Sequence, residues 1–399
     1  MVPSGPVRIF ERPAPGAPPI LPFGEAAHAL PLLDRPLAEW QRVEAGPHAP
    51  RLALADDILA TRPVLDAFAA AADARRRAGA RAPFRLTLAP DHPARRLWPV
   101  SRAEVDGALD LFVDAPPSMS LEVLRREAEP LAIAHAGPTR RRELARLGPP
   151  PYHLDLPADG AIALAVEHWV HALWAAPLLV PRRLSEPDAR ARRRRWPGAF
   201  VDPTARVHPT ADVEASYVGP RATIGAHGVV RDAYVGADAR LSDFTKLTRT
   251  ALGAGVHTLA DATFSDVVSL GEGTLTNLLL RDVIVGRRAF LTSGVIFWAD
   301  TLGEEIVVEH EGRARGTGRR TLGGAIGHGA VLGARTIVGP GLAIPNRTTV
   351  VMRREEGVQR IADVPPGTPL AWYDGGLVPY ASLAPLVGEA PALGPEELR

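Results

Sequence analysis

The chain of 399 residues contains no cysteine, which excludes disulfides, thiolate nucleophiles and cysteine-ligated metal sites. It is also almost without lysine: Lys246 stands alone among 46 basic residues, and the others are arginine. With abundant Ala, Pro and Gly, that bias fits a high-GC coding sequence in which surface lysines have drifted to arginine. A lysine that survives such drift is a candidate for a role that a planar guanidinium cannot fill, set against plain chance retention. Net charge is lacking too, and at +1 it supplies no general attraction to nucleic acid or lipid. Long apolar runs are missing. The most apolar stretch, residues 161–181, contains Glu167, His168 and His171 and is too polar to span a membrane. Met1 is followed by neither a basic segment nor an apolar one, so no signal peptide is expected and the cytoplasm is the expected compartment.

What the chain does have is size and periodicity. Its length and 46% hydrophobic content allow two or three domains with real cores. From Val201, apolar residues recur at Val207, Val213, Val218, Ile224, Val230, Val235, Leu241, Leu247 and Leu252, in steps of six, six and five. A helix repeats every 3.6 residues and a strand every two, so neither produces this pattern. A six-residue step with Gly, Ala or Asp after the aliphatic residue marks hexapeptide coils of a parallel β-helix, here 17 residues per three-walled turn. The pattern resumes at Phe264, Leu270, Val285 and Leu291, and again at Ile326, Leu332, Val338, Ile344 and Val350. Residues 299–322 interrupt it. Within them, 304–312 read as a strand running out to a turn, expected to form an arm extruded from the prism.

Residues 1–185 alternate strand-like and helix-like stretches, which argues for an α/β domain with a largely parallel sheet. Strands are expected over 7–10, 51–55, 84–88 and 109–113. Helices are expected over 63–78, with Thr61 as cap, and over 140–147. Residues 161–174 also have helical apolar spacing, which puts His168 and His171 on one face; no third or fourth ligand is evident, so two ordinary histidines on a connecting helix are expected. An Arg-rich linker over 186–199 carries five arginines in positions 190–195 and reads as a solvated segment. The β-helix then covers 200–351, and a Pro-, Gly- and Leu-rich tail covers 352–399.

Residues 30–41, Leu30-Pro31-Leu32-Leu33-Asp34-Arg35-Pro36 through Trp40-Gln41, are similar to the segment after the signature loop of sugar nucleotidylyltransferases. That family cradles a triphosphate with backbone N–H groups of a glycine-rich loop. Here the corresponding residues include Pro13, Pro15, Pro18 and Pro19, which have no N–H to offer, and the domain has no lysine. The resemblance therefore implies a degenerate nucleotidylyltransferase-like domain, and uridylyl transfer is disfavoured.

The hexapeptide coils resemble the left-handed β-helix acyltransferases, a family of trimers. The nearer likeness is to the acetyltransferase half of bifunctional sugar-1-phosphate acetyltransferase/nucleotidylyltransferases. Leu241-Ser242-Asp243-Phe244-Thr245-Lys246-Leu247 looks like that family's coil with a Phe and a substrate-binding lysine. Leu270-Gly271-Glu272-Gly273-Thr274 and the 317–327 segment resemble its later coils. The resemblance implies acyl-CoA, most simply acetyl-CoA, as co-substrate, with no metal required. It implies transfer to an amino or hydroxyl group of a sugar phosphate or nucleotide-sugar, in a homotrimer whose clefts lie between neighbouring prisms. By the same likeness His257 is the base, Arg231 and Lys246 hold phosphate, and Asn277 positions the acyl carbonyl. The tyrosine that follows the family's histidine has no counterpart in His257-Thr258-Leu259, and His257 stands two positions out of register. His208, His227 and His328 occupy ordinary corner positions, and Asp300 either orients substrate or starts the arm. The alternative to catalysis is a sugar-nucleotide-binding scaffold that kept the architecture without the chemistry.

Overall fold

The computed structural model describes residues 6–10, 19–145, 152–186, 198–276, 279–301, 304–351, 368, 370–373 and 376–383. Asn277, the arginine run at 190–195 and nearly all of the proline-filled segment lie outside them. The chain divides into two units, Met1–Thr349 and Val350–Arg399. In the second, Leu370–Tyr373 pairs antiparallel with Gly376–Pro379, and a 3-10 turn, Tyr380–Leu383, follows.

From Phe200 onward the first unit is a parallel β-solenoid. Its first wall stacks eight short strands beginning with Phe200–Val201, and its second stacks eight beginning with Arg206–Val207. The third wall stacks five, from Asp212–Glu214 to Leu279–Arg281, beside a separate pair, Ile296–Phe297 and Ile337–Val338. Register follows the hexapeptide step: Val201, Val218, Val235 and Leu252 stack on one another, as do Val213, Val230, Leu247, Phe264 and Leu280. The latter five are wholly buried. Burying each such side chain is worth about 1.5–3 kcal/mol, so the pattern that encodes the register also drives the stacking.

Two readings of the pattern are corrected by this register. Ser269, not Leu270, lies beside Leu252, and the following coil shortens by one residue, since Ser269 pairs with Val285. The apparent gap between Leu252 and Phe264 is no gap. Strand Val256–Thr258 fills it in regular register, with Thr258 in the inward position that aliphatic residues take in the coils above and below.

The N-terminal region holds a five-stranded sheet ordered Arg8–Phe10, Leu52–Ala55, Leu111–Val113, Phe84–Leu88, Glu129–Ile133. It is mixed rather than largely parallel, because Leu111–Val113 runs antiparallel to both of its neighbours. The chain between Phe84–Leu88 and Leu111–Val113 forms a 3-10 turn, Pro93–Leu97, and a helix of five residues, not the single crossover helix of a parallel unit. The helix Arg62–Arg77 matches expectation, but Thr61 does not cap it: its hydroxyl donates to Gly160 O at 2.7 Å. The helix expected over 140–147 is, as far as the described residues run, part of the strand Thr139–Ala145, paired antiparallel with Tyr152–Pro157. Cross-strand pairing overrides the modest helical preference of an Arg- and Leu-rich run. The 161–174 stretch also departs from one helix. Ala163–Ala165 is a strand against Ile58–Ala60, and the helix begins only at Trp169.

The outer side of the first wall is not open. Phe200, Tyr217 and Tyr234 stack with centroids 4.7 and 5.1 Å apart, and share one core with Trp169, Leu173 and Trp174. The interruption after residue 299 forms a hairpin, Val307–His310 against Arg313–Gly316, turning at Glu311 and Gly312. Ile306 and Val308 are buried in that same core. The second and third walls keep exposed apolar side chains, among them Leu279, Phe290, Ile296 and Ile337.

Candidate functional site

The corner between the second and third walls is the place where the expected site residues gather. His257 points outward from Val256–Thr258, with Arg240 and Thr274 as its ladder neighbours. Lys246 points outward from Lys246–Thr248 on the adjoining wall, between Val229 and Thr263. The corner residues 259–262 lie between His257 and Thr263. Both side chains are exposed, and neither has a hydrogen-bond or ion-pair partner among the described residues.

The corner is built from strained but well-supported backbone. His227, Phe244 and Asp261 hold φ of 55°, 58° and 61°, a left-handed conformation uncommon outside glycine. Ladder bonds from Phe244 N to Ala226 O at 2.8 Å and from Asp261 N to Asp243 O at 3.0 Å fix it. The His227 ring lies flat on Phe244, with centroids 5.1 Å apart, and Phe244 remains half exposed. Beneath the corner, polar groups replace the aliphatic filling. Thr258 Oγ1 accepts from Ser242 N at 3.2 Å, the Thr245 and Thr258 hydroxyls are 3.1 Å apart, and Ser242 Oγ donates to Thr258 O at 2.7 Å. Sequence reading missed this network. Its signal was present in threonine standing where the six-residue step calls for an aliphatic residue.

Arg231 shares the third wall with Lys246, since Val229 pairs with Lys246 and Arg231 with Thr248. The two lie diagonally, about 8 Å apart by ordinary strand spacings. Unlike Lys246, Arg231 is engaged: its guanidinium is 2.7 Å from Asp212 and 3.7 Å from Glu214. These are exposed partners, so the pairing is weak and exchangeable. Asp300 sits at the root of the hairpin, bridged to Thr321 and 3.5 Å from Arg281.

His168, His171, His208 and His328 have structural employment. His168 caps the helix Trp169–Ala175, accepts from Val170 N, and gives its Nε2 proton to Glu309 O at 3.0 Å. His171 Nδ1 accepts from the N–H groups of Glu167 and His168, and its Nε2 donates to Pro99 O. Burial pushes the His168 pKa down to about 3 and that of His171 down to about 4. All four ring nitrogens are therefore committed to a neutral, load-sharing role, not to metal. Among the described residues no group of three or more His, Asp or Glu is placed to hold a metal ion. His208 bonds Thr210, and His328 accepts from Arg287 N at 2.8 Å.

Two cavities lie elsewhere among the described residues. One of about 420 Å³ opens between the N-terminal region and the hairpin, and one of about 300 Å³ is floored by Trp174, Leu178 and Leu184. His257 lines neither. In the single chain, His257, Lys246 and Phe244 form an exposed ridge at this corner. No helix among the described residues is long and apolar enough to cross a membrane.

No family model matches the chain, and no curated protein matches it. Among solved structures, it is similar to a histidine-to-asparagine mutant of perosamine N-acetyltransferase from Caulobacter crescentus, in complex with CoA and GDP-perosamine. The identity is 16% and the TM-score 0.16, over 67% of this chain and 92% of that one.

Proposed function

We propose that the chain is an acyl-CoA-dependent acyltransferase acting on an amino or hydroxyl group of a sugar phosphate or nucleotide-sugar. The observation that carries the reading is the pairing of His257 and Lys246, exposed and without partners among the described residues, on the two open walls beside one solenoid corner. An imidazole with a free lone pair can take the proton of an attacking amine or hydroxyl. The acceptor atom bonds to the thioester carbonyl, the oxyanion forms, and the C–S bond breaks as the CoA thiolate leaves to be reprotonated. Lys246, and Arg231 once released from Asp212, would hold the acceptor's phosphate, each charge-assisted bond contributing ~1.5–3 kcal/mol. Asn277 is assigned to the acyl carbonyl. In this reading the coils are left-handed, and the N-terminal region is a nucleotidylyltransferase-like domain without nucleotidyl transfer. The exposed Leu279, Phe290, Ile296 and Ile337 are covered by the next prism of a trimer, which turns the ridge into a cleft.

The test is acyl transfer from acetyl-CoA and longer thioesters to phosphorylated and nucleotide-linked sugars. His257→Ala should abolish turnover with the solenoid intact by circular dichroism. Full activity in that variant removes the proposed base. A second reading, a sugar-nucleotide-binding scaffold, is favoured by one observation: no carboxylate or carbonyl among the described residues orients the His257 ring. Saturable binding of a nucleotide-sugar, with no calorimetric response to any acyl-CoA, would select it.

A further inference from the structure

The register of the second wall fixes which side chains share its outer face. Coil by coil they are Arg206, Thr223, Arg240, His257, Thr274 and Phe290, each paired with the next. The column divides at His257. On one side stand two arginines with a threonine between them, and on the other Thr274 is followed by the apolar Phe290 and Val331. Arg206 and Arg240 are exposed, neither has a hydrogen-bond or ion-pair partner among the described residues, and no carboxylate stands in the column. Asp238, two residues before Arg240, is taken up by Arg221 through contacts of 2.7 and 2.6 Å. The third wall differs, since Arg231 there is held by Asp212 and Glu214. The positive charge of the second wall is therefore uncompensated, and it lies wholly on one side of His257.

Spacing selects the ligand. Neighbouring strands of a parallel sheet lie about 4.8 Å apart, so one step separates the backbone of Arg240 from that of His257, and two steps, roughly 10 Å, separate Arg206 from Arg240. A guanidinium grips a phosphate through two parallel N–H bonds, and two long side chains can converge across that span on adjoining phosphates. A single phosphate occupies one fork and leaves the other empty, whereas a diphosphate gives each fork its own anion. Direction follows as well. An acceptor whose amine or hydroxyl meets His257 would lay its anionic end toward the first coils, because the later coils offer apolar side chains. Of the acceptors considered above, a sugar phosphate brings one phosphate and a nucleoside-diphosphate sugar brings two. We propose that Arg206 and Arg240 form a diphosphate-binding track on the second wall, and that the acceptor beside His257 is linked to a nucleoside diphosphate. The second half rests on the acyl-transfer reading of His257; the first does not.

The experiment is calorimetric titration of the full chain with pyrophosphate, orthophosphate, UDP and GDP, each alone and at about 0.15 M salt. Pyrophosphate and at least one nucleoside diphosphate are expected to bind saturably and about tenfold or more tighter than orthophosphate, a difference of ~1.4 kcal/mol. Arg206→Gln and Arg240→Gln should each weaken that binding about tenfold or more. Neither should move the ligand-free melting temperature, because both side chains are exposed and unpaired. Arg335→Gln, at an exposed corner of a later coil, should change nothing. The track is overturned by no saturable heat from any diphosphate up to about 1 mM, by equal affinity for orthophosphate, or by an Arg335→Gln effect as large as the other two. His257→Ala should keep the binding, which separates the two readings. Diphosphate bound through both arginines without any acyl transfer fails the base and leaves the track. Acyl transfer to a sugar 1-phosphate, with KM unmoved by either track variant, fails the track and leaves the base.

Discussion

Acidification should loosen this protein through His171, and the size of the effect follows from its surroundings. The side chain is wholly buried, both ring nitrogens are used by backbone groups, and its pKa falls from 6.5 to about 4 on folding, chiefly by desolvation. A histidine with a depressed folded pKa binds fewer protons when folded than when unfolded. Its favourable contribution is therefore complete above pH 6.5 and is lost as pH falls from there toward 4. At about pH 4.5 the unfolded ring is protonated across two pH units in which the folded ring stays neutral; at 1.36 kcal/mol per unit this removes roughly 3 kcal/mol. His168, pushed to about 3, adds loss of the same sign. The assay is urea unfolding followed by tryptophan fluorescence at about pH 7.5 and about pH 4.5, for the native chain and for His171→Asn. Carboxylate protonation affects both proteins alike, so the comparison isolates the imidazole. Whatever the variant loses at the higher pH, its further loss on acidification should be smaller by roughly 3 kcal/mol. Equal losses in the two proteins would refute the argument.

Other expectations concern the solenoid and its corner. A Cβ at Gly236 would sit 2.6 Å from the backbone of the next coil, so Gly236→Ala should cost about 1–3 kcal/mol in thermal unfolding, while Gly339→Ala, with nothing within 4 Å, should be neutral. Under the proposed reaction, Lys246→Gln should raise KM for a phosphorylated acceptor roughly 10–150-fold and spare an unphosphorylated one, read by steady-state kinetics. Thr258→Val keeps the shape and removes the hydroxyl that accepts from Ser242 N. A loss of about 1–3 kcal/mol in urea unfolding is expected, and an unchanged midpoint would mean that the network adds nothing to stability.

Much of the architecture was legible because it depends on a single repeated requirement. Most inward positions of a coil take an apolar side chain of moderate size, so the step of six, six and five fixes wall, register and coil length together. The N-terminal region has no such redundancy. There, residues 139–145 became a strand because a partner strand was available, and residues 161–174 split because Ala163–Ala165 pairs with Ile58–Ala60, a relation between segments a hundred residues apart. Local propensity carries no trace of either pairing.

The site was legible in a different way. The family likeness singles out His257, the coil around it is regular, and what changes is its filling. Thr258 and Thr245 put hydroxyls into the prism interior at the coil whose outer face bears His257, next to the wall that bears Lys246. An interior chosen for stability alone would place leucine or valine there, as the neighbouring coils do with Leu241 and Leu275. Ser242 and Thr258 hydroxyls tie the two consecutive coils together at the start of the corner, which limits how far the backbone carrying His257 can shift. A base that must meet a proton within a few tenths of an ångström benefits from such restraint more than from another buried methyl group. If that is the role of the network, an aliphatic at position 258 that repacks without loss of stability should still lower kcat while leaving KM for acyl-CoA in place.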